Sequence, residues 1–187
     1  MVLEISKFKL HPSLRKTIRK FSNSAHCEIK IDTVFERVIN ACAASPRHGQ
    51  KSSWIVPEMI AAYCGLHKAG FAHSFETWIN GELVGGLYCV VIGKSVFGES
   101  MFSQSTDSSK IALAALVSLC KKNDILQIDC QQNTTHLTTL GAGVISREKF
   151  HENIAAGIKQ IGPDWTFDVR DWQTLLNKNV DRYDRLE

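Results

Sequence analysis

The sequence lacks any apolar run that approaches the ~20 residues needed to cross a bilayer. Its longest run, Leu83 to Ile92, is short and contains a glycine pair. Charged residues interrupt the apolar stretches near the N-terminus, so no signal peptide is expected. The six cysteines form no C-x-x-C pair, which is typical of reduced, buried thiols rather than disulfides or a metal site. We therefore expect a soluble cytoplasmic protein without a membrane span or a metal site.

The charged residues are unevenly distributed. The 187 residues are 44% apolar, which suffices for one domain with a sizeable core, and their net charge is +3. Residues 1–51 hold ten Lys and Arg against four Asp and Glu, whereas the remaining residues hold twelve against fifteen. This imbalance suggests an acidic partner for the N-terminal segment, although a solvated helix face is the simpler explanation.

Hydrophobic periodicity and turn signals predict helices alternating with mostly antiparallel strands. Asp32 is predicted to cap a helix, Asn80-Gly81 to form a type I′ hairpin turn, and Gly85-Gly86 to form a β-bulge. Asp107 or Ser108 is predicted to begin a long amphipathic helix. Helices are predicted over residues 13–21, 34–42, 57–68, 110–122, 134–140 and 148–161, and strands over residues 27–31, 73–79, 82–92, 95–102 and 125–129. A last strand or turn is predicted to begin at residues 144–145.

The order of these elements predicts an α+β fold. Three antiparallel strands, a long helix, a strand, a short helix and a last strand follow one another. This is the order of a GNAT-like acyltransferase core, a mixed and mostly antiparallel splayed sheet flanked by helices. We expect effectively one domain, with a basic lead-in (1–53), a catalytic core (54–161) and a tail (162–187).

Two motifs make the chain similar to a known family. They are Gly98-Glu-Ser-Met-Phe-Ser103 and Ile128-Asp-Cys-Gln131, which flank a helix starting near Lys110, with Trp54 upstream. In this order the chain resembles the leucyl/phenylalanyl-tRNA–protein transferases, most clearly over residues 54–150. The resemblance implies transfer of Leu or Phe, with Met as a further candidate, from aminoacyl-tRNA to a protein that begins with Arg or Lys. The added residue marks that protein for degradation by the N-end rule.

Such a reaction needs no ATP, metal or covalent intermediate, because the tRNA ester is already an activated acyl group. The site must hold the acceptor amine, align it and manage its proton. Asp129 and Gln131 are the predicted catalytic residues, since residues i and i+2 of a strand share a face and the resemblance implies an amine-activating role. Alternatively, Asp129 is a turn residue or the N-cap of a helix from Thr134.

Two further side chains are assigned to donor binding. Glu99 lies in an apolar strand, where a carboxylate must be paired or functional. The resemblance implies that it meets the α-amino group of the donor amino acid, whereas the alternative is an ion pair with Lys110 or an arginine. The resemblance also implies that Trp54 stacks on the terminal adenosine, an interaction worth ~1–3 kcal/mol. The alternative is packing against Ile60 or Ala61 at the helix entry.

The donor side chain needs an apolar slot, and phosphate groups need basic partners. A slot that fits unbranched or aromatic groups disfavours β-branched ones by shape. The slot candidates, each of which could equally be core, are Leu87, Val96, Phe97, Met101 and Ile128. The candidates for tRNA binding are Arg15, Lys16, Arg19, Lys20, Arg37, Arg47 and Lys51.

Other functions stay open at this point. The chain resembles the C-terminal domain of typical family members, so we expect the smaller N-terminal domain to be missing and the protein to be a monomer. A non-catalytic module that binds tRNA ends or basic N-termini is one alternative, and a GNAT-like transferase with another donor is a second. Residues 105–110 lack the glycines of a pyrophosphate loop, which argues against acetyl-CoA. Cys130 has no evident activating His nearby, so we discount it as a nucleophile.

Overall fold

The computed structural model describes residues 1–45 and 53–177. Six strands form one sheet, in which the parallel neighbours are the fifth and sixth strands and the other neighbours are antiparallel. The strands are β1 (Val2–Glu4), β2 (Cys27–Ile31), β3 (Ala72–Ile79), β4 (Glu82–Ile92), β5 (Ser95–Ser103) and β6 (Gln127–Asp129), arranged in the order β1-β6-β5-β4-β3-β2. The predicted α+β class with a mostly antiparallel sheet is confirmed.

Helices cover both faces of the sheet. They are α1 (Pro12–Ser22), α2 (Phe35–Ala44), α3 (Pro57–Lys68), α4 (Ser108–Lys122), α5 (Thr135–Thr139), α6 (Arg147–Gly157) and α7 (Gln173–Leu176), and the 3-10 turns are Ile5–Lys7 and Val169–Trp172. Alternation along β4 separates two cores, because Leu87 and Cys89 pack with α1 and α4 whereas Tyr88 packs with α2. Within residues 1–45 and 53–177, no helix has the length and apolar character that a membrane crossing requires.

The central helix α4 is enclosed by protein rather than amphipathic, so that prediction is wrong. Its residues from Ile111 to Cys120 are all buried. The C-terminal segment covers part of it, since Trp172 is buried in the same core and the Ser118 hydroxyl donates to the Asp171 carbonyl. A helix covered on all sides carries a continuous apolar sequence, and its period therefore does not show which sides are covered.

Asp107 occupies the position before α4, as predicted, but does not cap the helix through its side chain. Its backbone is left-handed, with φ of 62°, and its carboxylate accepts from Lys110 Nζ at 2.7 Å. The start of α4 lies close to β4 because Gly85 has no side chain. A Cβ atom there would lie 2.3 Å from Ser108 Oγ.

The predicted hairpin turn is confirmed, and the bulge lies next to its predicted place. Asn80 and Gly81 both have positive φ, of 53° and 77°, as a type I′ turn requires. The register places Thr77 opposite Gly85 and Trp78 opposite Leu83, so the extra residue on β4 lies between them at position 84. The glycine pair serves close packing rather than forming the bulge itself.

The predicted N-cap at Asp32 is wrong. Helix α2 begins at Phe35, and the carboxylate that accepts from the Val34 N–H, at 2.8 Å, belongs to the buried Glu76. Asp32 instead accepts from His73 Nδ1 at 2.6 Å and from the Ser74 N–H at 2.8 Å. Its side chain therefore joins the end of β2 to β3, a contact between residues about forty positions apart.

Differences also occur near the chain ends. Strand β1 has no counterpart in the sequence prediction. The last strand or turn predicted at 144–145 is not formed, and only an isolated bridge joins Val2 to Gly143 nearby. Helix α6 ends at Gly157 rather than at 161. The division of the chain at residues 53 and 161 and the likeness to a GNAT core stay predictions.

Candidate active site

A cavity opens where β5 and β6 separate. The two strands pair at only two positions, Val96 with Ile128 and Phe97 with Asp129, after which β5 continues to Ser103. The cavity has a volume of about 750 Å³. It is lined by Trp54, Tyr63, Leu87, Tyr88, Gly98, Glu99, Ser100, Met101, Leu113, Leu116, Ile128, Cys130, Gln131, Gln132, Thr134, His136 and Leu137.

One wall of this cavity is apolar and buried. Leu87 comes from β4, Ile128 from β6, and Leu113 and Leu116 from α4, and all four are at least 96% buried. Met101 of β5 joins them. Such a wall excludes water and can take up an apolar side chain. Leu113 and Leu116 lie in a helix whose every face is apolar, so sequence alone does not distinguish them from ordinary core residues.

Two of the predicted slot residues lie elsewhere. Val96 is buried in the core with α4, and Phe97 pairs with Asp129 across the strands. Neither is among the residues that line the cavity in the described part of the chain. Both lie in the part of β5 that still pairs with β6, before the two strands diverge.

Glu99 faces the cavity because it occupies a second bulge. Tyr88 pairs with Ser100 and Cys89 with Gly98, so Glu99 is the extra residue on β5. Its Oε2 accepts a hydrogen bond of 2.8 Å from the Tyr63 hydroxyl. The suggested ion pair with Lys110 is wrong, since that lysine binds Asp107.

Tyr63 is a site residue that sequence reasoning missed. Burial, and then the hydrogen bond and negative charge of Glu99, raise its pKa well above the usual value, so the hydroxyl stays protonated at neutral pH. Ile60, Tyr63 and His67 are half-buried at helical spacing. That spacing indicates which face of α3 meets the sheet, but not that this face borders a cavity.

Trp54 lies at the cavity entrance and is 38% exposed. Its ring meets that of Tyr63 edge to face, with centroids 6.5 Å apart and planes at 73°. Tyr63 makes a second edge contact with Tyr88 at 5.1 Å. The exposed indole thus sits on an aromatic support, where a flat ring can stack without entering the apolar wall.

Asp129 and Gln131 are brought together by a turn and not by a strand. Asp129 Oδ1 accepts from the Gln131 N–H at 2.8 Å, and the Gln132 N–H donates to the Cys130 carbonyl at 2.6 Å. Gln131 has φ of +57°, a left-handed conformation that costs about 1–2 kcal/mol outside glycine. The inference that both residues share one strand face is therefore wrong.

This turn gives the two residues different positions. Gln131 lines the cavity, whereas Asp129 contacts the Gln131 backbone and is not a lining residue among those described. The turn alternative for Asp129 is thus observed. The N-cap alternative is wrong, since the hydroxyl of Thr134 itself accepts from the Leu137 N–H at 3.3 Å. Strain at Gln131 that a side-chain contact maintains is typical of functional sites.

The pKa values of Cys130 and His136 are shifted in the direction that favours their uncharged forms. Burial, followed by the charge of Asp129, raises the pKa of the Cys130 thiol to about 11. Because the thiolate is the nucleophilic form, Cys130 is unsuited to covalent catalysis, as expected. Burial, and then the positive charge of Lys110, lower the pKa of His136. In the described ranges no group of three or more His, Cys, Asp or Glu side chains could hold a metal ion.

The N-terminal strand supports the turn that carries Gln131. Val2 of β1 pairs with Asp129, and the Cys130 N–H donates to the Met1 carbonyl at 2.9 Å. The three residues of β1 are too few to show an alternating pattern, so the sequence gives no signal for this strand. Their contribution comes from pairing with β6 and is visible only in the folded chain.

The predicted tRNA-binding residues differ in their surroundings. Arg15 is half-buried and donates to the carbonyls of Leu175 and Leu176 at 2.9 and 3.2 Å, so it holds the C-terminal segment. Arg37 lies over the Trp78 ring, 5.5 Å from its centroid. The exposed cations of α1 are Lys16, Arg19 and Lys20. Arg47 and Lys51 lie outside the described residues.

Comparison with known proteins decides the family. Residues 2–155 match the family described as leucyl/phenylalanyl-tRNA protein transferase. The chain belongs to this family. It is 60% identical over 176 residues to the leucyl/phenylalanyl-tRNA–protein transferase of Albidiferax ferrireducens, a match that covers 94% of this chain and 69% of the relative. The proteins of the same name from Polaromonas sp. and Methylibium petroleiphilum are 55% and 54% identical over 94% of this chain, and the matches cover 69% and 66% of those proteins.

Membership in the leucyl/phenylalanyl-tRNA–protein transferase family confirms the resemblance inferred from the two motifs. Both motifs border the cavity, the first through Gly98 to Met101 and the second through Ile128, Cys130 and Gln131. The membership favours an aminoacyltransferase over a non-catalytic binding module. Strand β5 carries one motif and β6 carries the other, and the two strands pair before they diverge. Residues that are about thirty positions apart in the sequence therefore border the same cavity.

Proposed function

We propose that the chain transfers Leu or Phe from aminoacyl-tRNA to the N-terminal Arg or Lys of a protein, and thereby tags that protein for N-end rule degradation. The observation that carries this proposal is the arrangement of the cavity. Gln131, whose backbone N–H is held by Asp129, lines a cavity with a buried apolar wall, and the Glu99 carboxylate lies on the adjoining strand. Family membership supplies the reaction class, and the cavity supplies a place for both substrates.

The donor amino acid occupies the apolar wall in this proposal. Leu87, Leu113 and Leu116 would contact its side chain, and shape would disfavour the β-branched Ile and Val. Glu99, fixed by Tyr63, would accept from the donor α-ammonium group. Trp54 would stack on the terminal adenine, for which its exposed face is suited.

The chemical step is attack of the acceptor amine on the ester carbonyl carbon. A C–N bond forms, the bond from the carbonyl carbon to the ribose oxygen breaks, and the amine proton ends on that leaving oxygen. The carboxamide oxygen of Gln131 would accept a hydrogen bond from the amine and orient its lone pair. Asp129 is then a positioning residue, because its carboxylate fixes the turn that presents Gln131. The neutral Cys130 thiol takes no covalent part.

The remaining parts of the proposal concern the surroundings of the enzyme. Lys16, Arg19 and Lys20 would neutralise tRNA phosphates, with Arg15 contributing mainly through the C-terminal segment that it holds. We place the enzyme in the cytoplasm, where charged tRNA is available, and expect a monomer that works without a cofactor.

A mass-spectrometric transfer assay tests the proposal. The purified chain is mixed with Leu-, Phe-, Met- or Ile-charged tRNA and with peptides that begin with Arg, Lys or Ser. A Leu or Phe mass increment on the Arg and Lys peptides is expected. Increments on Ser peptides would contradict the acceptor assignment, and tRNA binding without any increment would favour the binding module.

A further inference from the structure

The strand β5 presents its edge, and not only one face, to the cavity. Successive side chains of a strand point to opposite faces. Yet four consecutive residues, Gly98 to Met101, line the same cavity. A cavity that touches four successive residues lies against the backbone edge of the strand. The bulge at Glu99 accounts for at most one of them.

This edge extends beyond the region where β6 covers it. On its other side, β5 pairs with β4 throughout, with Leu87 opposite Met101 and Gly85 opposite Ser103. Within residues 1–45 and 53–177, strand pairing on the cavity side stops at Phe97. Backbone groups of alternate residues from Met101 to Ser103 are therefore directed to a side on which no described strand lies. An edge of this kind is a template for an added strand.

We propose that Met101 to Ser103 of β5 form the acceptor-binding edge, to which the N-terminal segment of the acceptor polypeptide adds as a β-strand. This inference rests on the proposed function. The acceptor amine must reach Gln131, so the chain behind it must leave the cavity, and an extended polypeptide carries the repeated N–H and C=O groups that a ladder needs. The aminoacyl end of tRNA has no such repeat. In strand addition the hydrogen bonds are made to the peptide backbone, so the residues after the first one can have any side chain.

Backbone methylation of the peptide tests this proposal on the unaltered enzyme. A series of Arg-Ala-Ala-Ala-Ala amides carries one N-methyl group each, at residues 2 to 5. Methylation of residues whose N–H faces β5 should raise KM roughly tenfold through a lost hydrogen bond and a steric clash. The alternate peptides, whose N–H faces away, are matched controls and should behave like the parent. Equal effects at all four positions, or none, would overturn the proposal.

Amide hydrogen exchange of the enzyme gives a readout that does not depend on transfer. With saturating parent peptide and no tRNA, exchange should slow at an amide within Met101 to Ser103 and stay unchanged in the β3–β4 turn at Asn80-Gly81. Protection without transfer would support the edge and contradict the proposed function. Transfer without protection and without an alternating methylation pattern would support the function and reject the edge.

Discussion

At the scale of single residues, the site depends on a backbone conformation that its sequence does not favour. Gln131 has φ of +57°, and the contact that maintains it is the 2.8 Å hydrogen bond from its N–H to Asp129. The sequence predicted both residues as a pair, but as neighbours on one strand face. The turn was not predictable, because nothing in Ile128-Asp-Cys-Gln131 demands a left-handed residue as glycine would. The two residues are in contact, but the predicted geometry was wrong, and their shared catalytic role stays a prediction.

Replacing Gln131 by Gly distinguishes the role of the side chain from the role of the backbone conformation. Glycine adopts positive φ without strain, so Gln131→Gly should unfold at the same temperature as the wild type or above it, with a gain of up to about 1 kcal/mol. Transfer should nevertheless fall by roughly 10²–10⁴-fold, since the carboxamide is lost. Thermal unfolding and the peptide transfer assay check the two expectations. Wild-type transfer in this variant would show that the carboxamide takes no part.

A positioning role for Asp129 predicts a graded response. Asp129→Ala should lower kcat at least about tenfold by releasing the turn, whereas Asp129→Asn, which keeps an acceptor oxygen, should retain more activity. Asp124→Asn is the control, because Asp124 is an exposed turn residue at the other end of β6. Transfer rates of the three variants give the comparison. Equal loss in the alanine and asparagine variants would indicate a need for the negative charge instead.

The pKa of Cys130 predicts its reactivity and a dependence of stability on alkaline pH. Burial raises the pKa from 9.0 to about 11, so the folded protein holds this proton more tightly than the unfolded chain. The free energy of unfolding therefore decreases as pH rises through 9 to 11, and Cys130→Ala should reduce that decrease. Urea titrations at pH 8 and pH 10.5 measure the difference. A Cys130→Ala enzyme without transfer activity would contradict the neutral, non-covalent role.

At the scale of elements, local sequence signals predicted the features that depend on neighbouring residues, namely turns and helices. Asn80-Gly81 predicted the hairpin turn, apolar spacing identified α2, and helix-boundary signals identified α3 closely. Contacts between residues that are distant in the sequence could not be predicted. They include the capping of α2 by Glu76 and the pairing of β1 with β6. The bulge at Glu99 belongs to this group, because a bulge is defined by the register of two strands and not by one sequence.

The glycine in β4 offers a test of close packing between elements. Gly85→Ala would place a Cβ atom 2.3 Å from Ser108 Oγ, so β4 and the start of α4 must separate, at a cost of about 1–3 kcal/mol. Gly65→Ala is the matched control, since nothing lies within 4 Å of its Cβ position in α3, and alanine there should stabilise the helix by about 0.5–1 kcal/mol. Denaturant unfolding measures the free energy of unfolding of both variants and tests these two expectations. Equal stabilities would contradict the packing described.

At the scale of the whole molecule, the sheet joins segments that the sequence analysis treated separately. The lead-in contributes β1 next to the Gln131 turn, and the C-terminal segment covers α4 through Trp172. The uneven charge noted in the sequence corresponds in part to the exposed cations of α1. We expect those cations to bind tRNA phosphates, and the apolar wall and the turn to perform the selection and the transfer.

Transfer from charged tRNA to peptides that differ only in their first residue, read by mass spectrometry, tests the proposed reaction directly. We expect a Leu or Phe increment on Arg and Lys peptides, none on Ser peptides, little from Ile-charged tRNA, and loss of the increment in Gln131→Gly. Efficient transfer by Gln131→Gly, or none by a wild-type chain that still binds charged tRNA, would contradict this expectation.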